Sequence, residues 1–184
     1  MATTEEEMVT LEDAKEQVRR VCVRLGLLHL SFAKTLVKEV GEKKGKQLIL
    51  KAIKDFSTRI GEEAKANATA QGLDNNPANF KSDLPSYGMH EGGEAVEVSG
   101  EKRRRAHGCV MGKLWNELGE GELGRLYCYV DPAKYMAFNP DFKLIHTKAL
   151  PDGDEYCELV VRPTTEQERK DFTDEDKDWS YIDI

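Results

Sequence analysis

Two long stretches of helical periodicity, separated by a single glycine, constrain the fold more than any other feature of the sequence. Apolar residues recur at three- and four-residue steps from Thr10 to about Val40, which predicts an amphipathic helix. Thr10 is a good N-cap for that helix, and Asp13 stands at the capping-box position. After Gly41, a second helix is expected from about Lys44 to Ala70. Two such helices with a short joint predict a helical hairpin.

The periodicity also predicts which face of each helix is buried. In the first helix the expected stripe consists of Val18, Val21, Cys22, Leu25, Leu28, Phe32, Leu36 and Val40. In the second helix the expected apolar face consists of Leu48, Ala52, Ile53, Phe56, Ile60 and Ala64. Cys22 lies on the first stripe and is interpreted as a small core residue.

The second half of the sequence alternates short helical and extended patterns. Residues 73–92 carry turn formers and two prolines, so they predict a long connector that could act as a lid. Two hairpins are expected, one formed by residues 94–98 and 102–109 and one by residues 142–150 and 155–162. Short helices are expected between them, over residues 110–118, from residue 120 onward and over residues 131–138. The predicted fold class is α+β, with a helical hairpin and short helices packed on a small antiparallel sheet.

The expected organisation is one folded unit flanked by two acidic segments. Residues 1–9 are expected to be flexible, and residues 10–163 to form a single α+β domain. Residues 164–184 hold eight acidic and three basic residues, a net charge of −5. We expect this tail to be frayed or docked on a partner, with Trp179, Tyr181 and Ile182 as anchors, and to be dispensable for folding.

Composition excludes several functional classes. The formal net charge of −7 argues against nucleic-acid binding, which needs a basic surface. No apolar run approaches the ~20 residues of a membrane helix, and no secretory signal is recognised, so a cytoplasmic location is expected. The four cysteines are then expected to be free thiols, ligands or nucleophiles rather than disulfides. A homodimer is compatible with this composition.

Three of the cysteines, Cys109, Cys128 and Cys157, lie in the segment from residue 108 to 163. Three hypotheses compete: buried packing residues, a nucleophile site with a His or Asp to move the proton, or a soft divalent metal such as zinc bound together with His107 or His146. No CxxC pair exists, and no cofactor is predicted. Cys109 is placed where a strand ends and a helix begins, where the helix dipole lowers a thiol's pKa.

Three motifs in this segment carry a family resemblance. They are C-x5-W starting at Cys109, ELGRLYCYVDPA, and FNPDFKLIHTKALPDGDEYCEL. Together they resemble the L-2-amino-thiazoline-4-carboxylic acid hydrolase family over roughly residues 10–163. The region is also similar to small-molecule-binding domains of the 4-vinyl reductase type, which supports an α+β fold with a pocket. The family resemblance implies hydrolytic opening of an aminothiazoline carboxylate, a cyclic amidine, to a carbamoyl-cysteine.

The ring-opening chemistry that the resemblance implies suggests hypothetical roles for individual residues. Cys109 is the first nucleophile candidate, Cys128 the second, and Asp131 would orient or deprotonate. Arg125 or Arg162 could hold the substrate carboxylate. Further substrate-binding candidates are Trp115, Tyr127, Asn139, His146 and Cys157.

We expect Cys109, Cys128 and Asp131 to line one pocket beneath the connector of residues 73–92. The alternative function is a non-catalytic small-molecule-binding or sensor domain that uses the same pocket. A third class, a scaffold that docks through its acidic tail, has only the tail in its favour.

Overall fold

The computed structural model describes residues 8–81 and 84–183. Most of the segment expected to be flexible, residues 1–7, lies outside the described residues. The helices are α1 (Leu11–Val40), α2 (Glu42–Ala70), α3 (Val110–Glu117), α4 (Gly121–Arg125), α5 (Val130–Phe138) and α6 (Glu166–Thr173). The strands are β1 (Gly92–Val98), β2 (Glu101–His107), β3 (Phe142–Lys148) and β4 (Tyr156–Pro163). The predicted α+β class is confirmed, since helices accompany an antiparallel sheet of order β1-β2-β4-β3.

The two long helices begin and end close to where the sequence predicts. The Thr10 hydroxyl accepts a hydrogen bond from the backbone N–H of Asp13, which satisfies one of the free donors of the first turn of α1. Gly41 adopts φ 82°, a conformation that glycine tolerates and side chains resist, and it reverses the chain into α2. Beside the joint, a Cβ on Gly45 would lie 2.7 Å from Cα of Val37, so only glycine allows this approach.

The buried faces of both helices agree only in part with the predicted ones: Cys22, Ile53 and Ala64 are buried as predicted, but other positions are not. Val21, Leu28 and Phe32 were expected in the stripe of α1, but they are 64%, 53% and 65% exposed. In α2, Phe56 is 44% exposed. The buried positions of α2 include many small residues: Gly45, Ile49, Leu50, Ile53, Ser57, Gly61, Ala64 and Ala68. The apolar period alone was misleading because small residues can mark the most closely packed side of a helix.

The contact between α2 and α5 explains this choice of small residues. An added Cβ on Gly61 would lie 2.2 Å from the carbonyl oxygen of Lys134 and 2.7 Å from Cβ of Ala137. The two backbones therefore approach more closely than any larger side chain would permit. Phe138, fully buried at the end of α5, fills the space beside Ala64 and Ala68. This packing fixes α5 and the segment before it.

The sheet is built from two hairpins that meet in its middle. β1 pairs with β2 around Ser99 and Gly100, with Gly92 opposite His107. β4 pairs with β2 on one side and with β3 on the other, and Ala106 lies opposite Cys157. The two predicted hairpins are thus confirmed. The sheet brings the end of β2 next to the start of β4, where the cysteines lie.

The acidic tail is part of the folded unit, so the expectation that it is frayed is wrong for the described residues. α6 starts with a complete capping box formed by Thr165 and Glu168. Trp179 and Ile182, 4% and 0% exposed, join a core cluster with Leu50. Most of the charges that suggested a solvated tail lie in residues 166–178 and precede these anchors.

Hydrogen bonds and an ion pair then attach the tail to the edge strand β3. Lys143 pairs with Glu168 at 2.5 Å and donates to the carbonyl oxygen of Ile182. The backbone N–H of His146 donates to Asp183 at 2.8 Å. The tail therefore covers a sheet edge that would otherwise leave hydrogen-bonding groups unpaired. Among the residues of this structure, no helix combines the length and apolar character needed to cross a membrane.

Candidate functional site

Cys109 and Cys157 lie side by side at the end of the central strands. β2 ends at His107, Gly108 turns the chain with φ 60°, and Cys109 becomes the N-cap of α3, as predicted. Cys157 stands on β4, the strand paired with β2. Both cysteines pack in one apolar cluster with Ala106 and Leu150. The turn at Gly108 is what folds Cys109 back onto the sheet.

The surroundings of Cys109 favour its thiolate form. The thiol of Cys157 donates toward the Cys109 sulfur and lowers its pKa, burial opposes this effect, and His90 lowers the pKa further. The Gly112 N–H in the first turn of α3 also approaches the sulfur, although it forms no regular side-chain cap there. Contact with Cys109 and burial both raise the pKa of Cys157. Of the two thiols, Cys109 is therefore the one that these contacts favour as a thiolate.

His90 belongs to the connector and is a site residue that sequence reasoning missed. The connector is attached beside Cys109 by two backbone hydrogen bonds, from Val110 N–H to Met89 at 3.1 Å and from Glu91 N–H to His107 at 2.9 Å. Extending the β1–β2 register by two residues places His90 opposite Cys109. The predicted hairpin already contained this signal, because its register fixes which residues face each other beyond the strands.

Cys128 and Cys22 lie near Cys109 in a second apolar cluster. Cys22, Cys109 and Cys128 all belong to one cluster with Met111 and Trp115. Burial raises the pKa of Cys128, and the charge of Arg125 only partly offsets it. Burial also raises the pKa of Cys22, which is a core residue as predicted. Both remain thiols near neutral pH, so Cys128 is a much poorer nucleophile candidate than Cys109.

A second polar cluster surrounds His146. Its Nδ1 lies 3.1 Å from Oδ2 of Asp183, and its Nε2 lies 3.4 Å from Oδ2 of Asp131. Asp131 also pairs with Lys134 at 2.5 Å. Burial of Asp183 would raise its pKa, but hydrogen bonds from His146 and the charge of Arg125 lower it. Asp131 therefore contacts His146 and Lys134, and its predicted role beside a cysteine stays a prediction.

Arg125 connects this cluster to the cysteines and to an open pocket. Its guanidinium pairs with Asp183 at 2.8 Å and with Asp152 at 2.9 Å. It also interacts electrostatically with Cys128, which in turn interacts with Cys109. A polar pocket of about 510 Å³ is lined by Arg125, Tyr129, His146, Thr147, Lys148, Ala149, Asp152, Asp154 and Asp183. Asp183 comes from the tail, and no sequence motif pointed to it.

The remaining binding candidates have structural contacts. Trp115 is 1% exposed and donates its indole N–H to the carbonyl oxygen of Gly26. Burial raises the pKa of Tyr127 to about 12, and its ring packs edge-on against His29. Asn139 donates to the carbonyl oxygen of Asn75 and so tethers the connector. Their substrate-binding roles stay predictions.

The alternative carboxylate anchor and the metal hypothesis gain less support. Arg162 forms an ion pair with Glu101. Both side chains are more than a third exposed, as in an ordinary surface ion pair. Within residues 8–81 and 84–183, no group of three His, Cys, Asp or Glu side chains is arranged to hold a metal ion. The four cysteines are free thiols.

A family model described as L-2-amino-thiazoline-4-carboxylic acid hydrolase matches residues 20–161. No curated protein and no solved structure matches the chain significantly. The matched region contains the four cysteines and His90, whereas Asp183 lies outside it.

Proposed function

Because the chain belongs to the L-2-amino-thiazoline-4-carboxylic acid hydrolase family, we propose that it opens a cyclic amidine of the thiazoline carboxylate type with Cys109 as nucleophile. The observation that carries this proposal is the contact of Cys109 with Cys157 and His90 at the start of α3. A thiol that ionises easily, next to groups that can move protons, is the arrangement that nucleophilic catalysis needs.

The first step is addition of the Cys109 thiolate to C2 of the substrate, the carbon bonded to the ring sulfur and to two nitrogens. A C–S bond forms, and the C2–N double bond becomes single as its nitrogen takes a proton. Collapse of this tetrahedral centre restores the double bond and expels the ring sulfur as a thiol. The opened substrate is then held on Cys109 as an isothiourea.

The second step is hydrolysis of this adduct. Water adds to the same carbon, and the Cys109 thiolate leaves with the electron pair of the C–S bond. The product is a carbamoyl-cysteine, and the enzyme regains its thiolate. Over both steps one water is consumed, and no oxidant or reductant is needed.

His90 and Cys157 have complementary tasks in this scheme. His90 approaches Cys109 from the connector and would carry protons to the ring nitrogen and from the attacking water. The Cys157 thiol would stabilise the Cys109 thiolate before attack and again when it leaves. The N–H groups of the first turn of α3 favour negative charge at this point.

Arg125 is the proposed anchor for the substrate carboxylate. Its side chain is 13% exposed and opens onto the polar pocket, and Asp152, one of its two partners, is 50% exposed. A substrate carboxylate could replace the Asp152 contact while Asp183 keeps the guanidinium in place.

The test measures turnover of L-2-amino-thiazoline-4-carboxylate. Turnover is monitored through the appearance of a new thiol and through the mass of the product. We expect Cys109→Ser to lose turnover to background, because a hydroxyl is a far weaker nucleophile at neutral pH. Cys22→Ser, a change in the core, is the matched control and should keep turnover. Equal rates for Cys109→Ser and the wild type would refute the nucleophile. Substrate-induced thermal stabilisation without turnover would favour the binding or sensor alternative.

A further inference from the structure

We propose that Cys109 and Cys157 form a reversible disulfide when the protein meets a peroxide, so that this pair is a site of oxidative modification. The proposal does not depend on the substrate of the chain. It starts from two free thiols that contact each other in one apolar cluster, on segments that the β2–β4 pairing holds together.

The two cysteines are unequal in the way that such chemistry requires. Cys109 is half-buried at the start of α3, beside His90, whereas Cys157 is 5% exposed. An oxidant from solvent therefore meets Cys109 first. The environment that favours its thiolate also favours reaction with a peroxide, because the thiolate is the reactive form.

The chemistry balances in two steps. The Cys109 thiolate attacks one peroxide oxygen, an S–O bond forms, the O–O bond breaks, and the leaving hydroxide takes a proton to become water. The Cys157 sulfur then attacks the Cys109 sulfenic acid, an S–S bond forms, and the S–O bond breaks with release of a second water. The two sulfurs together supply the two electrons that reduce the peroxide.

Contacts around Cys157 suit the second step. In the reduced protein its proton is held by the neighbouring Cys109 thiolate. Oxidation of Cys109 removes that negative charge, and the backbone N–H of Leu150, 3.4 Å from the Cys157 sulfur, then supports a thiolate there. Cys128 belongs to a different cluster, and no backbone N–H donor to its sulfur is among its described contacts. Cys157 is therefore the expected resolving residue.

The disulfide would protect the nucleophile from further oxidation. A disulfide stops Cys109 from passing to the sulfinic state, which thiols do not reverse, while a dithiol reductant restores both sulfurs. If Cys109 carries the proposed hydrolysis, oxidation and reduction would switch turnover off and on. The disulfide itself would form whether or not the chain hydrolyses thiazolines.

The test treats the reduced full chain with hydrogen peroxide, blocks the remaining thiols and maps disulfides by peptide mass spectrometry without reductant. We expect one cross-link between the peptides of Cys109 and Cys157, reversed by dithiothreitol. Cys157→Ser should abolish it and leave a sulfenic acid on Cys109 that reacts with dimedone. Cys128→Ser, the matched control, should keep the cross-link.

Two results would overturn the proposal. One is a wild-type cross-link between Cys109 and Cys128 in place of Cys157. The other is oxidation of Cys109 to the sulfinic state without any cross-link. Both results are measured on the wild-type chain, so they test the proposed disulfide even if a variant fails to fold. Loss of turnover is measured separately, so failure of the hydrolase proposal would be distinguishable.

Discussion

Replacing Trp179 by alanine should destabilise the whole domain, although Trp179 lies in a segment whose charge suggested a solvated tail. Trp179 is 4% exposed, and its ring packs edge-on against Tyr129 at 5.5 Å and Phe172 at 5.6 Å. Truncation of a buried tryptophan costs about 3–5 kcal/mol, of which each aromatic pair supplies about 0.5–1.5 kcal/mol. At ~2–4 °C per kcal/mol for a chain of this size, we expect Tm to fall by about 6–20 °C.

Differential scanning calorimetry measures this shift, and Tyr181→Ala provides the matched control. Tyr181 lies two residues further along the tail, is 40% exposed and, among the described contacts, gives up one hydrogen bond, to Asp171. We expect this control to cost about 1 kcal/mol or less. If Trp179→Ala lowered Tm no more than Tyr181→Ala does, the interpretation that the tail is docked would be refuted, and a frayed tail would be the better description.

Three further outcomes follow from packing and charge. Gly61→Ala should cost about 1–3 kcal/mol in urea unfolding, because its Cβ would meet a backbone carbonyl, whereas Gly92→Ala, with nothing within 4 Å, should be neutral. Burial would raise the pKa of Glu158, but two arginines lower it to about 2. The stability that ionised Glu158 gives the folded protein is therefore lost as pH falls from the ordinary pKa of 4.5 to about 2. Glu158→Gln should therefore flatten stability across that window, and an unchanged acid profile would contradict the pairing. Cys157→Ala should raise the pKa of Cys109, seen as an upward shift in the pH profile of its alkylation by iodoacetamide, and no shift would contradict the shared proton.

The local signals of the sequence were sufficient for the elements and their order. Thr10, Gly41 and the Ser99-Gly100 turn act on their immediate neighbours, so helix ends and hairpins could be predicted from them. The family motifs likewise identified Cys109 and Cys157 as candidate site residues, and the two cysteines lie in one cluster. What these signals lacked was information about contacts between distant segments.

The helix faces and the tail show why the rest was not predictable. Phe32 and Gly61 reverse the usual expectation. The close approach of α5 selects small residues on α2, whereas the elements packed on α1 bury Cys22 but leave Phe32 exposed. Asp183 is buried in the part of the tail that docks through Trp179 and Ile182, and it pairs there with Arg125, a tertiary effect that the local charge does not reveal. His90 is different, since the hairpin register already placed it opposite Cys109.

Trapping the covalent intermediate shows whether Cys109 attacks the substrate. The protein is mixed with L-2-amino-thiazoline-4-carboxylate, quenched in acid within the first turnover and digested for peptide mass spectrometry. If Cys109 is the nucleophile, its peptide gains the mass of one intact substrate before free carbamoyl-cysteine accumulates. An adduct on Cys128, or steady turnover by the Cys109→Ser protein, would contradict this role.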